Sequence, residues 1–232
     1  MASSPSHFVR QLDGQVRGRG QTEILAELRR AITGGAVVPG SVISIDEVAQ
    51  FFEVSPIPVR ESLKTLVGEG LVTHRRRGGY AVAQLSLTEL EELYVVCRAL
   101  ELAALPQSVA MATSADDQRL LATYDASAVA LARGDLEAYQ RASKDFHFAL
   151  VDPSGMHRLS NVLDTIWNLA ETGQPMQHND ADGRVRFQRD HRELMDAFLE
   201  RDIDRLVADM EDHYRSLFSV IGTLARVEHL FG

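Results

Sequence analysis

Apolar residues recur every three to four positions along most of the chain, which is the period of helices that bury one face. In the first third of the sequence this pattern predicts three short helices. The first ends at Gly34 and Gly35, a turn follows at Pro39 and Gly40, and Gly70 comes just after the third helix. The predicted buried positions are Ile24, Leu25, Leu28, Ala31 and Ile32 in the first helix, Val48, Phe51 and Phe52 in the second, and Val59, Leu63, Leu66 and Val67 in the third.

Local signals place the starts of the second and third helices. Ser44 and Glu47 have the spacing of a capping box, in which each side chain accepts a hydrogen bond from the backbone amide of the other residue. Pro58 suits the first position of the third helix, because the amide that proline lacks would be unpaired there. This placement makes Ile57 the N-cap, although isoleucine cannot accept a hydrogen bond from the helix.

Two β-prone runs follow the third helix. Residues 71–74 and 80–82 are short strand-like segments, and Gly78 and Gly79 between them are typical of a hairpin turn. Three helices and a hairpin predict a winged helix-turn-helix over residues 21–85. Residues 1–20 are rich in Ser, Gly and Arg without a hydrophobic period, which predicts a flexible tail.

The rest of the chain has the helical period only. Ser86 and Glu89 form a second capping-box pattern that opens a long helix. Further helices are expected over about residues 114–133, 135–151, 156–171, 184–200 and 203–221. The predicted fold is therefore mainly α, with an N-terminal winged helix-turn-helix and a C-terminal all-α helical bundle over residues 86–232.

The 232 residues carry a formal net charge of −9, which is distributed unevenly. Residues 1–85 have 10 Lys and Arg against 8 Asp and Glu, a net of +2, and the remaining residues have 14 against 25, a net of −11. This asymmetry indicates two domains with different partners. Cys97 is the single cysteine, which excludes an intrachain disulfide and a multi-cysteine zinc site. Without a signal peptide or an apolar run of roughly 18 residues, a cytoplasmic protein that binds no membrane is expected.

The leading domain offers side chains suited to double-stranded DNA. The outward face of the third helix carries Arg60, Lys64 and Thr65, and an arginine on a helix in the major groove can bond two acceptors of a guanine edge. Ser55 near the start of this helix could bond a phosphate. A solvated helix and a charged loop are the alternative interpretation. The hairpin adds candidates for phosphate or minor-groove contacts, namely His74, Arg75, Arg76, Arg77, Gly78 and Gly79.

The same region resembles the signature of GntR-family transcriptional regulators. The resemblance implies a homodimer that reads a short palindrome, with Arg60 and the wing on the DNA. The family usually has an arginine after the serine and a small polar residue before the proline, whereas this chain has Pro56 and Ile57, so its operator preference is not expected to match that of relatives. The resemblance covers residues 28–72 and includes Pro39-Gly40, Val54-Ser55, Pro58-Val59-Arg60-Glu61, Leu63, Leu66 and Glu69-Gly70-Leu71-Val72.

Three of the eight histidines lie on the apolar stripes of predicted helices. His147, His191 and His213 belong to three different helices, and imidazoles that converge inside a helical bundle can bind a divalent ion such as zinc or nickel. A single histidine on an apolar face is more often a hydrogen-bonded core residue. Both interpretations stay open, because the sequence does not show whether the three side chains meet.

The second half of the chain, residues 86–222, resembles the FCD ligand-binding domain of FadR-type GntR regulators. The resemblance implies a metal, held by an aspartate and three histidines, beside the pocket of a small-molecule effector. In this match the three metal-binding histidines of the family correspond to His147, His191 and His213. The matching positions are Leu100-Glu101, Gly134-Asp135, Phe146-His147, Ser154-Gly155, His191, Met210 and His213.

The chain departs from the FCD pattern at the implied pocket. Ser143 stands where the family has the aspartate, and Asp209 is a candidate substitute for that ligand. Cys97 stands where the family has a pocket arginine, with Arg98 one position away. These departures count against metal binding and against recognition of a carboxylate effector, the two properties that the resemblance implies. The expected effector pocket consists of Cys97, Arg98, Ser143, His147, His191 and His213.

The sequence contains no phosphate-binding loop, nucleophile elbow or His-Glu-x-x-His motif, so no enzyme is expected. It favours a ligand-responsive transcriptional regulator, a repressor that binds a palindromic operator as a homodimer and responds to a small molecule in the C-terminal bundle. One alternative is a metal- or metabolite-binding helical protein whose leading domain engages another protein. The other is a metal-dependent hydrolase at the histidines.

Overall fold

The computed structural model describes residues 6–14, 20–34, 37–75, 78–172 and 180–231, with side chains described as far as Ile221. The chain divides into two units. The first comprises residues 1–85 with residues 171–173, and the second comprises residues 86–170 and 174–232.

The first unit combines three helices with a small sheet. Leu28, Phe52 and Leu63, one from each helix, are fully buried and form the centre of its core. The sheet is antiparallel with the strand order β1-β3-β2. The chain order is α1 (Gln21–Thr33), β1 (Val42–Ile43), α2 (Ile45–Phe52), α3 (Pro56–Gly68), β2 (Val72–Arg75) and β3 (Gly79–Val82).

Strand β1 and the burial of Val67 differ from the sequence-based expectation. Strand β1 was not predicted, because two residues are too short to show an alternating pattern; Val42 pairs with Ala81 and Ile43 with Tyr80. Val67 was predicted to be buried but is 37% exposed. The preceding residue, Leu66, occupies the inward position in the last turn of α3.

The predicted flexible tail is wrong for residues 6–14. Phe8, Val9 and Leu12 are buried, and residues Val9–Gln11 form a 3-10 turn. The backbone amide of Ser6 donates to Glu47 Oε2 at 3.3 Å. Residues 1–5 and 15–19 lie outside the described residues. Burial of three apolar side chains outweighs the polar composition of the segment, because each contributes about 1.5–3 kcal/mol when removed from water.

The start of α3 lies two residues earlier than predicted. Ser55 is the N-cap and Pro56, rather than Pro58, occupies the first helical position. Ile57 is therefore inside the first turn, where it is 70% exposed. The N-cap is thus a serine, a residue type favoured at this position, although its side chain makes no capping hydrogen bond. At α2 one half of the predicted capping box forms, because Ser44 Oγ accepts from the Glu47 amide; the Glu47 carboxylate accepts from the Ser6 amide.

The second unit is a bundle of helices. The Ser86 and Glu89 capping box forms as predicted at the start of its first helix, and Gly134, with a φ of 67°, ends its second. The bundle consists of α4 (Leu87–Met111), α5 (Ser114–Arg133), α6 (Leu136–Val151), α7 (His157–Glu171), α8 (Ala181–Leu199) and α9 (Ile203–Phe231). The fold class predicted from the sequence, mainly α with a winged helix-turn-helix and an all-α bundle, is confirmed.

Helix α4 is central to the bundle and packs against α6 and α9. By length and composition alone it would be long enough to cross a membrane, and a third of its apolar window is buried. Tyr94, Cys97 and Glu101 lie on the buried side. Val95 and Val96 on another face are 51% and 40% exposed. The helix thus packs as a core helix on one side and leaves an apolar surface on the other.

Candidate functional site

The outward face of α3 carries the predicted DNA-binding side chains. Arg60, Lys64 and Thr65 are exposed, while Val59 and Leu63 on the opposite side are fully buried. Lys64 pairs with Glu61 at 2.8 Å across one helical turn. An exposed pair of this kind contributes little to stability, so Lys64 can exchange Glu61 for a phosphate at small cost.

Ser55 and the first turn of α3 lie at the end of the helix where an anion is favoured. Ser55 is exposed, and its side chain makes no capping hydrogen bond. Pro56 and Pro58 lack amide hydrogens, so this helix start offers fewer backbone donors than usual. The hydroxyl of Ser55 is therefore a polar group that a phosphate could reach at this helix start.

Strands β2 and β3 form the predicted hairpin. His74 pairs with Tyr80 and Arg75 with Gly79, and His74, Arg75, Gly78 and Gly79 are all exposed. Gly79 has a φ of 72°, which a residue with a Cβ adopts only with strain. Gly78 and Gly79 are exposed and carry no Cβ, so a DNA backbone could approach this part of the hairpin closely. Arg76 and Arg77 lie outside the described residues.

The three predicted histidines meet in the centre of the bundle. His147 on α6, His191 on α8 and His213 on α9 are buried, and one ligand nitrogen from each lies within 4.8 Å of the others. They line a cavity of about 40 Å³. The predicted convergence therefore occurs. The remaining lining residues are Tyr94, Tyr139, Ser143, Trp167, Phe187, Tyr214 and Leu217.

Two of these histidines are held in the neutral form. Burial lowers the pKa of His147 and of His191 well below the ordinary histidine value, and the neighbouring His213 lowers both further. A metal ion binds imidazole through a nitrogen that carries no proton. Neutral rings are therefore already in the state that a metal ion requires.

Glu101 on α4 lies behind His147. Its Oε2 is 2.9 Å from Nδ1 of His147, and the side chain is fully buried. Burial raises the pKa of Glu101 to about 8, although the charge of His213 opposes this shift. Because Nδ1 of His147 is engaged by this carboxyl group, Nε2 is the nitrogen of that ring left for a ligand.

Asp190 on α8 lies beside His213. Its Oδ2 is 3.8 Å from Nδ1 of His213, which is longer than a hydrogen bond. Burial raises the pKa of Asp190, but the nearby His213 and Arg189 outweigh this effect and leave the pKa lowered overall. Asp190 therefore places a negative charge at the edge of the histidine cluster.

Other predicted pocket residues lie elsewhere. Cys97 is buried but does not line the cavity, and burial raises the pKa of its thiol. Arg98 makes a bidentate ion pair with Glu211, at 2.6 and 2.7 Å, on the outside of the bundle. Placing Cys97 and Arg98 in the effector pocket was therefore wrong, because the buried side of α4 reaches the cavity through Tyr94, one turn earlier.

Asp209 does not substitute for the absent aspartate. Its carboxylate lies 3.5 Å from Arg205, and Asp209 is not among the residues that line the cavity. Ser143 does line it, as predicted. Glu101 and Asp190 were not identified as partners of the histidines. The sequence did contain a signal for both residues, namely a carboxylate on the apolar stripe of a predicted helix. Glu101 stands one turn after Cys97, and Asp190 stands directly before His191.

Comparisons with known proteins agree with this arrangement. The FCD domain model matches residues 92–216, and the model for bacterial regulatory proteins of the gntR family matches residues 21–82. The uncharacterized HTH-type transcriptional regulator BphR of Paraburkholderia xenovorans is 28% identical over 202 residues, which cover 84% of this chain and 82% of BphR. The HTH-type transcriptional repressor RspR of Escherichia coli is 23% identical over 195 residues, covering 84% and 86%.

Solved structures with the same fold are also regulators. Escherichia coli McbR/YncC aligns with a TM-score of 0.79 and 18% identity, covering 88% of this chain and 98% of that one. A putative GntR transcriptional regulator from Rhodococcus sp. RHA1 aligns with a TM-score of 0.71 and 23% identity, covering 91% and 98%. These relatives are transcriptional regulators rather than enzymes, in agreement with the expectation from the sequence. The chain therefore belongs to the GntR family of transcriptional regulators and combines its winged helix-turn-helix with an FCD domain of the FadR type.

Proposed function

We propose that this regulator is a repressor that binds a palindromic operator as a homodimer and is controlled by an effector or metal ion bound in the histidine cavity. The observation that carries the DNA-binding part is the exposed position of Arg60 on α3, beside an exposed wing of the same unit. The name of RspR, a transcriptional repressor, supports the direction of control. Such a protein acts in the cytoplasm, where bacterial DNA is.

The proposed DNA contacts divide into two classes. Arg60 reads a guanine edge in the major groove, where a bidentate contact is worth about 1–3 kcal/mol of discrimination. Ser55, Lys64 and Thr65 contact phosphates and fix the orientation of α3 without reading sequence. The wing contributes further phosphate or minor-groove contacts through His74, Arg75, Arg76, Arg77, Gly78 and Gly79.

The proposed homodimer forms through the exposed apolar face of α4. Val95 and Val96 are 51% and 40% exposed. Ala99, Ala103 and Ala110 follow on exposed positions at helical spacing. A second copy of the same face would cover these side chains, and two-fold symmetry makes a single patch self-complementary. Two winged domains then match two half-sites about one or more DNA turns apart.

The histidine cavity fits a divalent metal ion such as zinc or nickel. Three imidazoles from three helices are a common donor set for zinc, and His191 Nδ1 and His213 Nδ1 have no hydrogen-bond partner among the described residues. The cavity of about 40 Å³ has room for an ion with a water molecule, and a cavity of roughly 150 Å³ is needed for benzene. An organic effector therefore requires the aromatic walls to move.

Regulation requires only modest coupling between the two units. A coupling free energy of about 1–3 kcal/mol changes DNA affinity about 5–150-fold.

The alternative in which the leading domain engages a protein predicts no specific binding to DNA. The hydrolase alternative finds no support in the relatives, which are all named as regulators.

The proposal is tested by fluorescence anisotropy with DNA fragments from upstream of the chain's own gene. The wild type is expected to bind one fragment specifically, with log affinity falling linearly with log salt. Arg60→Ala is expected to lose about 5–150-fold in specific affinity and to remain dimeric. Arg133→Ala, which removes the same charge from an exposed position on α5, is the matched control. Wild-type affinity in Arg60→Ala would refute the assigned role of α3.

A further inference from the structure

Two buried carboxylates lie just outside the three histidines, on two different helices. We propose that Glu101 and Asp190 replace the inner aspartate that this chain lacks: they orient two of the histidine rings and supply the negative charge that a bound divalent cation needs. The inference rests on the proposed metal site. It names the residues that would let the three histidines bind a cation although no carboxylate is a ligand.

The geometry of Glu101 is that of an orienting group. Its Oε2 is 2.9 Å from Nδ1 of His147, and the exposed fractions of the two residues are 0% and 1%. A ring held at Nδ1 presents Nε2, and a carboxylate in this position makes the ring a better donor to a metal. Glu101 thus fixes both the orientation and the donor atom of His147.

Asp190 has the same relation to His213 at a longer distance. Its Oδ2 lies 3.8 Å from Nδ1 of His213, and neither atom has a hydrogen-bond partner among the described residues. Both residues are 7% exposed. A shift of less than about 1 Å would complete the hydrogen bond. The pair is therefore placed to close when Nε2 of His213 binds a cation.

Charge explains why two carboxylates are needed. Three neutral imidazoles leave both positive charges of a divalent cation uncompensated, and an isolated charge is costly to bury. No carboxylate lines the cavity itself within the described part of the chain, and Ser143 contributes a neutral hydroxyl. In their ionised forms Glu101 and Asp190 together would supply two negative charges, which equal the charge of the cation.

The experiment measures metal affinity directly. Wild-type protein stripped with a chelator is titrated with Zn²⁺ and Co²⁺ in competition with a chromophoric chelator. Glu101→Gln and Asp190→Asn are each expected to weaken binding about 10–100-fold, the usual effect of losing such a partner. Glu92→Gln on α4 and Glu193→Gln on α8 remove exposed carboxylates from the same helices and serve as matched controls. Far-ultraviolet circular dichroism establishes that each metal-free variant is folded.

A rescue experiment with Ser143→Asp tests whether Glu101 and Asp190 act through their charge or only support the structure. Adding Ser143→Asp to Glu101→Gln or to Asp190→Asn returns one negative charge next to the ion, and affinity is expected to recover to near the wild-type value. Wild-type affinity in both single variants would overturn the inference while leaving the metal site intact. Failure of Ser143→Asp to restore affinity in either folded variant would overturn the charge argument. Absence of binding in the wild type itself would overturn the proposed metal site and the inference with it.

Discussion

Replacing Glu101 by glutamine is expected to change how the stability of the second unit depends on pH. The side chain is fully buried, and burial raises the pKa of Glu101 from 4.5 to about 8. Between these values the folded chain holds a proton that the unfolded chain has lost. The free energy of unfolding contributed by this group is therefore complete below pH 4.5 and is lost as the pH rises to about 8.

The size of the effect follows from the shift. At about 1.4 kcal/mol for each pKa unit, the change amounts to about 5 kcal/mol at most over this interval. Glutamine has nearly the same shape but does not ionise. The difference in unfolding free energy between wild type and Glu101→Gln should therefore move in favour of the variant by up to that amount as pH increases. The histidines are present in both proteins, so their own titration largely cancels from the difference.

The measurement is urea unfolding of metal-free protein at several pH values, followed by the emission of Trp167. This is the only tryptophan of the chain, and its ring lies 4.7 Å from that of His147, so it reports on the second unit. Glu92→Gln, which removes an exposed carboxylate from the same helix, should follow the wild-type curve. If the difference in unfolding free energy between wild type and Glu101→Gln stays constant from pH 4.5 to 8, the buried carboxyl group does not titrate as described.

Three further predictions concern the leading segment, the dimer and the metal site. Phe8→Ala removes a side chain that is 1% exposed and should destabilise the first unit by about 3–5 kcal/mol, seen as faster hydrogen exchange in α1; unchanged exchange would contradict the packing of this segment. Val96→Glu places a charge on the exposed face of α4 and should yield monomers in sedimentation velocity with unaltered Trp167 emission, whereas a persistent dimer would locate the interface elsewhere. Ser143→Asp alone should tighten Zn²⁺ binding about 10-fold or more, and equal affinity would show that position 143 does not reach the ion.

Periodicity predicted the helices well because each helix buries one continuous stripe. The start of α4 was placed correctly by the Ser86 capping box, and the observed range of α5 agrees with the expected residues 114–133, with Gly134 directly after its last residue. The start of α3 was placed two residues late because Pro58 was assigned to the first helical position. The residue types before the two prolines favour Pro56, since Ser55 is a better N-cap than Ile57. Strand β1 depends on its partner β3 and has no signal of its own.

The candidate site was only partly predictable for a related reason. The three histidines stand on apolar stripes, so their direction could be inferred from single helices. Their partners could not, because Glu101 lies 46 positions from His147 and is brought to it by the packing of α4 on α6. Cys97 and Arg98 were placed in the pocket by the resemblance, because Cys97 stands where the family has an arginine. A matching position does not show which side chain reaches the cavity, and here the side chain of α4 that lines it is Tyr94.

The buried position of Phe8 has a practical consequence for how this protein is divided. The match to the gntR family model begins at residue 21, whereas the folded first unit already includes residues 6–14. A fragment that started at residue 21 would thus lose Phe8, Val9 and Leu12 from the interior of the first unit.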